Sequence, residues 1–532
     1  MKPKQTCSTS IAIALGLLFV VRALAATYTY DWESLRKAPV PAWFDDGKFG
    51  IFIHWGPYSV AGFTPTGDGY AEHFPKNIYR YPNEHYPFLK ERFGATPPDF
   101  GYKDIVPMFK AEKWNPEAWA QLFQRAGARY VILTGEHHDG FAMWDSELTE
   151  WCATRIGPKR DLVGDLAKAV RAKGMKFAPS YHRERHTGFF AQELYAPESP
   201  PRPDVAEEIR RSPSAAGLYG PFSYSDEFIA GYVARWQELQ RKYHPDFLWL
   251  DNIPIFNQAP DAPETRKFQD ACMSMIADYL NAAQKSGQEV YFNNKGVKLN
   301  WPEGVGCREK DNLQMPAIGP KWQNPATLGT SFGYLKAEDD TDAYKSPAEL
   351  IHLLCDVVSK NGNLLLNIGP RADGTIPDGM QCRLLAIGQW LDVNGAAIYN
   401  TRPWKIFGEG SQAAEPLGKK GKPAKVKNND KTSRPKDAKE ADASGASEVR
   451  FTRSKDNKTL YAIVLGKQAA GKSVTITSLA TGGVGSDTQI SRVDLLGSKE
   501  EIKWKRDASG LTVTFPETMP KQAELAAVLA IK

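Results

Sequence analysis

Alternation constrains this chain more than any other feature. Short β-rich runs recur at Phe49–His54, Tyr130–Gly135, Lys176–Ser180, Phe247–Asp251, Val290–Asn293, Val305–Cys307, Thr330–Tyr334 and Asn363–Asn367. Helical patterns lie between or after them, at Pro116–Ala126, Leu162–Lys173, Asp226–Tyr243, Ala262–Lys285, Pro347–Ser359 and Pro377–Asn394. Strands that alternate with helices predict an α/β fold, a (β/α)8 TIM-like barrel. The stretch from Val290 to Tyr334 holds little helical pattern, so the barrel is expected to be distorted. Past Trp404 the pattern changes to short strands with turn signals, at Val449–Phe451, Leu460–Val464, Ser473–Ile476, Ile490–Leu495, Ile502–Lys505, Leu511–Phe515 and Ala523–Ile531. These predict a small C-terminal antiparallel β-sandwich.

The first residues read as a leader. Lys2 and Lys4 precede an apolar run from Ile11 to Val21, and Ala23-Leu24-Ala25 supplies small residues for cleavage. The run is shorter than the roughly 20 residues a membrane span needs, which favours a cleaved signal peptide over an anchor. The expected location is therefore outside the cell or in a periplasm. The expected division is a signal at 1–25, a barrel at 26–404, a Lys-rich linker at 405–447 and the sandwich at 448–532.

Gly418 to Glu440 holds eight Lys, one Arg and three acids, with almost no large apolar side chain, and predicts a solvated, disordered insertion. Its net +6 and the leader's three cations, taken from the formal +5 of the whole chain, leave the folded part at about −4. No basic face for nucleic acid is implied. Past the leader no stretch is long and apolar enough to span a membrane. Five cysteines remain after the leader, an odd number at wide spacing that matches no zinc pattern and leaves at least one unpaired.

In such barrels chemistry gathers at the C-terminal ends of the strands. Those positions hold His54-Trp55-Gly56, Glu136-His137-His138-Asp139-Gly140-Phe141, Tyr181-His182, Trp249-Leu250-Asp251-Asn252, Asn293-Asn294-Lys295, Arg308-Glu309 and Asn367. Asp251 closes the apolar run Phe247-Leu248-Trp249-Leu250. There it is either a paired or catalytic acid or a helix N-cap. With Glu309 on a later loop, two carboxyls could face one hollow, as glycoside hydrolysis requires. His54, His137 and His138 admit three readings: sugar-hydroxyl contacts, a metal site, or structural histidines. Adjacent histidines on an extended strand point to opposite faces, so His137 and His138 share a site only if the backbone leaves strand geometry there.

These segments, with Trp144-Asp145-Ser146, Lys159-Arg160-Asp161 and Gly362-Asn363-Leu364-Leu365-Leu366-Asn367-Ile368-Gly369-Pro370 followed by Asp373-Gly374, resemble the retaining α-L-fucosidases of glycoside hydrolase family 29. The motifs run in family order from about Trp43 to Trp404. The resemblance implies a barrel with a C-terminal β-domain, retention of configuration, and neither metal nor other cofactor. It implies Asp251 as nucleophile and Glu309 as acid/base, with Glu303 as runner-up. Substrate contacts carry over to His54, Glu72, His137, His138, Tyr181 and Trp249, and to Lys295 where the family has Arg. The implied partner is a fucosylated oligo- or polysaccharide, possibly sulfated. Oligomeric state is left open.

Several positions depart from the family pattern: His73 for Trp, Lys295 for Arg, Gln323 for Glu, Asn252 for Gly, and Ser180-Tyr181-His182 for Tyr-Tyr-Ser. They are expected at the sugar pocket's wall, where they bear on the substrate more than on the reaction type. Two alternatives follow: a retaining hydrolase of a related sugar such as an α-L-galactoside, or a secreted carbohydrate-binding protein without turnover.

Overall fold

The computed structural model describes residues 27–66, 69–194, 196–251, 259, 261–295, 305–307, 318–410 and 448–532. The leader, Glu303, Glu309 and the Lys-rich stretch from 411 to 447 lie outside them. Eight parallel strands pair in chain order and close into a barrel: β1 (Phe49–Ile53), β2 (Tyr130–Glu136), β3 (Lys176–Tyr181), β4 (Phe247–Leu250), β5 (Tyr291–Asn294), β6 (Val305–Cys307), β7 (Trp322–Thr327) and β8 (Gly362–Ile368). β8 returns to β1 with Phe49 opposite Leu364 and Ile53 opposite Ile368.

The distortion is localised. The four ladders from β3–β4 to β6–β7 hold two residue pairs each, whereas β1–β8 holds five. The seventh strand is a correction to the sequence reading: it is Trp322–Thr327, and Thr330–Tyr334 is a loop. Trp322-Gln323-Asn324-Pro325-Ala326-Thr327 lacks apolar alternation and carries a proline, so it does not read as a strand. Its polar residues have buried work instead. Gln323 accepts from Trp249 Nε1 at 3.0 Å and donates to Tyr130 Oη at 3.0 Å. Gln323 is thus part of the barrel interior and not of the pocket wall expected from sequence.

Aromatic layers fill that interior. Phe44, on the short helix Ala42–Gly47 that precedes β1, packs against Tyr130, Phe247 and Tyr291. Gly50 faces the same layer, and a Cβ there would lie 2.4 Å from the Tyr130 ring, so only glycine fits. Above it Phe52 meets Trp249 edge-on at 4.8 Å. The outer helices are begun by side-chain caps: Asn115 for Pro116–Arg125, Asp161 for Leu162–Ala172, Ser225 for Asp226–Tyr243, and a Ser346/Glu349 capping box for Pro347–Ser359.

The C-terminal part is a sandwich of two antiparallel sheets. One has the order β13 (Val493–Leu495), β16 (Ala526–Ile531), β11 (Leu460–Leu465), β10 (Val449–Ser454), β9 (Thr401–Glu409). The other has the order β12 (Ser473–Ile476), β15 (Gly510–Thr514), β14 (Lys503–Asp507). β9 starts at Thr401 and pairs with β10, so this sheet takes in residues on both sides of position 404. Strand alternation gives the large sheet two dry faces. Ala462, Val464 and Leu529 join the sandwich core, while Tyr461, Ile463, Val528 and Ala530 join the barrel's core. The five cysteines among the described residues are all free thiols. No helix among the described residues is long and apolar enough to cross a membrane.

Candidate active site

The site is built where the strands end. Asp251 is the first residue past β4, and its N–H still donates to Tyr181 O at 3.2 Å. The β4–β5 ladder stops at Leu248 opposite Phe292. Beyond it the Asn293 side chain takes over from the backbone: its Oδ1 accepts from Leu250 N at 2.7 Å and its Nδ2 donates to Leu250 O at 2.8 Å. That amide clamp fixes the peptide just before Asp251 and explains why a polar residue sits inside β5.

Asp251 is 4% exposed. The Lys295 ammonium, just past β5, contacts Oδ1 directly. His138 Nε2 stands 3.4 Å from Oδ2 and His182 Nε2 4.0 Å from Oδ1. Burial alone would raise the Asp251 pKa; the Lys295 ammonium leads the groups that overcome it and hold the carboxyl well below its usual range. Asp251 is therefore a buried, charge-paired carboxyl faced by a cation and two imidazoles.

The imidazoles form a continuous wall. A register shift between Thr134 and Glu136 breaks the β2–β3 ladder immediately before His137-His138. This irregularity takes the chain out of strand alternation and brings both rings to one side, with centroids 4.5 Å apart. The turn that follows needs Gly140, whose φ is +82° and where a Cβ would meet Leu218 O at 2.9 Å. Glu136 points the other way, toward Arg183 Nη1 at 2.5 Å and Arg235 Nη1 at 2.9 Å, and braces the end of β2 against the helix Asp226–Tyr243.

His54, past β1, meets Asn367 Oδ1 through Nδ1 at 2.6 Å, while Asn367 Nδ2 donates to Phe332 O at 2.7 Å. The amide's orientation makes Nδ1 the donor and leaves the His54 Nε2 lone pair for a ligand. Burial pushes the His54 pKa down to about 3 and lowers those of His73, His137, His138 and His182 as well. The wall is thus a set of neutral imidazoles that can both donate and accept, which suits sugar hydroxyls.

Of the other residues expected from sequence, Glu72 is buried and accepts from Gly333 N at 2.8 Å and Ser331 Oγ at 3.3 Å. It thereby holds the 330–334 loop whose Phe332 lies 4.9 Å from His54. Trp249 is fully buried and stacks under His182 at 5.2 Å, so it floors the site. Tyr181 is a correction. Its hydroxyl donates to Tyr232 O at 2.9 Å and its ring packs on Tyr232 and Trp236, on the helix side of the barrel wall. Alternation along β3 turns its neighbour His182 inward instead. Asn293, Asn367 and His182 stand in the rim segments singled out from sequence, without a role assigned to them there. Glu184 had no signal, because an acid between Arg183 and Arg185 reads as a solvated turn. The structure buries it completely.

Among the described residues, two sets of three side chains bring ligating atoms within 4.8 Å of one another: His54, His137 and His182, and His138, Glu184 and Asp251. In the second set one Asp251 oxygen already faces the Lys295 ammonium, which marks it as a charge-paired cluster. The first set is the neutral wall just described.

A family model described as alpha-L-fucosidase matches residues 18–396, and one described as the alpha-L-fucosidase C-terminal domain matches residues 442–532. The chain is similar to the tissue alpha-L-fucosidase of Bos taurus, 30% identical over 515 residues covering 93% of this chain and 88% of that protein. It is similar to the plasma alpha-L-fucosidase of Homo sapiens, 33% identical over 390 residues covering 72% and 74%. Among solved structures it resembles an alpha-fucosidase of Thermotoga maritima in complex with a mechanism based inhibitor, with TM-score 0.70, 31% identity, and coverage of 95% of this chain and 99% of that one.

Proposed function

The chain belongs to the alpha-L-fucosidase family, glycoside hydrolase family 29, and on that footing we propose that Asp251 is the nucleophile and Glu309 the acid/base of its retaining α-L-fucoside hydrolysis. The observation that carries the proposal is the placement of Asp251: buried at the end of β4, in contact with the Lys295 ammonium and faced by the imidazoles of His138 and His182.

In the first step an Asp251 oxygen bonds to the anomeric carbon while the glycosidic C–O bond breaks, and the leaving oxygen takes the proton of Glu309. In the second, the Glu309 carboxylate removes a proton from water. The water oxygen bonds to the same carbon and the Asp251 ester bond breaks. Two inversions give retention. His54, His137 and His138 bind the hydroxyls, with Glu72 holding the loop behind them. Lys295 has a second task in this scheme, since the charge it neutralises is the one Asp251 spends on the sugar.

Glu309→Ala is expected to slow fucosides with poor leaving groups more than activated aryl fucosides, and azide should restore part of the activity by attacking the glycosyl-enzyme without base assistance. The same pattern in Glu303→Ala, with Glu309→Ala unaffected, assigns the role to Glu303. A panel of aryl α-L-fucosides and α-L-galactosides tests the sugar, because His73 packs against His137 and His138 where the family carries Trp. We also propose export through the leader at 1–25. N-terminal sequencing of the protein recovered outside the cytoplasm should begin near Ala26, and an intact Met1 there contradicts it.

A further inference from the structure

Glu184 sits in the turn Arg183–Arg185 after β3 and is completely buried, with no hydrogen bond to either carboxyl oxygen among the described residues. Leaving a buried carboxyl unpaired costs a fold several kcal/mol, so its retention calls for a reason. The neighbouring Arg183 does not neutralise it, because that guanidinium is committed to Glu136. The turn is not loose: Tyr224 Oη donates to Glu184 O at 2.7 Å.

What Glu184 faces is the reacting group. Its Oε1 lies 3.8 Å from His138 Nδ1, and the other nitrogen of that ring is 3.4 Å from Asp251 Oδ2. His138 thus stands between two carboxyls, whose nearest ligating atoms lie within 4.8 Å of each other. His138 Nδ1 already donates to His182 O at 2.5 Å, so Glu184 is not needed to set the tautomer.

We propose that Glu184 is a positioning residue for attack by Asp251: as a neutral acid it backs His138 and limits the Glu184–His138–Asp251 group to a single negative charge, which stays on Asp251. The proposal rests on the reading of Asp251 as nucleophile. Two carboxylates this close in a water-poor site cannot both ionise cheaply. Burial first, and then the Asp251 charge, raise the Glu184 pKa well above its usual value, against the opposing pull of Arg185 and Lys295. The groups around it are His138 from the end of β2, Asp251 from β4, Lys295 from β5, Arg185 on its own turn, Tyr232 on the helix Asp226–Tyr243, and Cys272 on the helix Pro263–Ser286. The titration belongs to the group and not to one residue. When solvent base removes the proton, the second charge favours an imidazolium at His138. That cation then competes with the anomeric carbon for Asp251.

The test uses the full chain and an α-L-fucoside with a 2,4-dinitrophenyl leaving group, whose departure needs no proton, so that the acid/base residue does not shape kcat/KM. Glu184→Gln keeps the shape and cannot ionise. Its alkaline limb of kcat/KM should move up by at least about one pH unit with KM within roughly threefold of wild type. Its melting temperature should exceed the wild-type value at pH 7, and the gap should close toward pH 4. The sign follows from linkage: the unfolded chain releases this proton above its ordinary pKa while the folded chain keeps it, so the wild type loses stability as pH rises and the Gln variant does not. Glu184→Met, equally unable to ionise, should show the same limb shift. An unmoved alkaline limb in both variants, or no melting difference at pH 7, overturns the proposal. So does azide rescue of Glu184→Ala, which would make Glu184 the acid/base itself. A wild-type chain that turns over no fucoside fails the underlying reading, and the melting comparison tells the two failures apart because it needs no substrate.

Discussion

Chemistry at this site turns on how few charges surround one carboxylate. Lys295 is the only cation seen in direct contact with Asp251 among the described residues. Removing it as Lys295→Met lets the Asp251 pKa rise toward the value burial alone would set. An acid whose pKa rises loses its charged form at higher pH, so the acid limb of kcat/KM should move to higher pH in the Met variant and return in Lys295→Arg. An acid limb unmoved in Lys295→Met would detach Lys295 from the nucleophile. Legibility at this scale was uneven for a physical reason. Asp251, His54, His137 and His138 follow strands whose apolar runs announce them. Tyr181 ends β3 and His182 follows it, and only the strand's register decides which of the two faces Asp251. Glu184 is read from its neighbours' charge, which Glu136 and the site consume elsewhere.

Elements place these residues with side chains where the ladder fails. The β4–β5 pairing ends before Leu250, and Asn293 replaces two backbone bonds with its amide. Asn293→Ala should leave the Leu250 N–H and C=O unsatisfied, at a cost of about 2 kcal/mol measured by denaturant unfolding. It should also lower kcat about tenfold or more through a displaced Asp251, with less change in KM. Equal stability in the variant would show the clamp to be dispensable. Gly140→Ala should cost about 1–3 kcal/mol, since φ is +82° and the Leu218 carbonyl leaves no room, and it should weaken sugar binding by moving His137 and His138. The same features explain which strands were legible. β1, β2 and β8 are continuous apolar runs, as parallel buried strands require. β7 spends Gln323 on hydrogen bonds to Trp249 and Tyr130, so its pattern resembles a loop while Thr330–Tyr334 resembles a strand.

The described barrel and C-terminal sheets pack against each other, because the large C-terminal sheet uses one face for its own sandwich and the other for the barrel. Trp390 Nε1 donates to Ala526 O at 3.0 Å, and the buried Arg450 pairs with Asp356 at 2.7 Å across the boundary. Asp356 keeps Lys360 at 2.8 Å, so Arg450→Met should cost toward the low end for a broken buried pair, about 3 kcal/mol, in a single unfolding transition that includes the barrel. Two separate calorimetric transitions would contradict that coupling. Deleting 448–532 is expected to leave the barrel insoluble by uncovering its apolar outer face. The central claim, that Asp251 attacks the sugar, is tested most directly by mass. A slow donor carrying fluorine on the fucose ring should add one fluorofucosyl unit to the intact chain, and peptide sequencing should place it on Asp251. A label on any other carboxyl, or continued labelling of Asp251→Gly, contradicts the account.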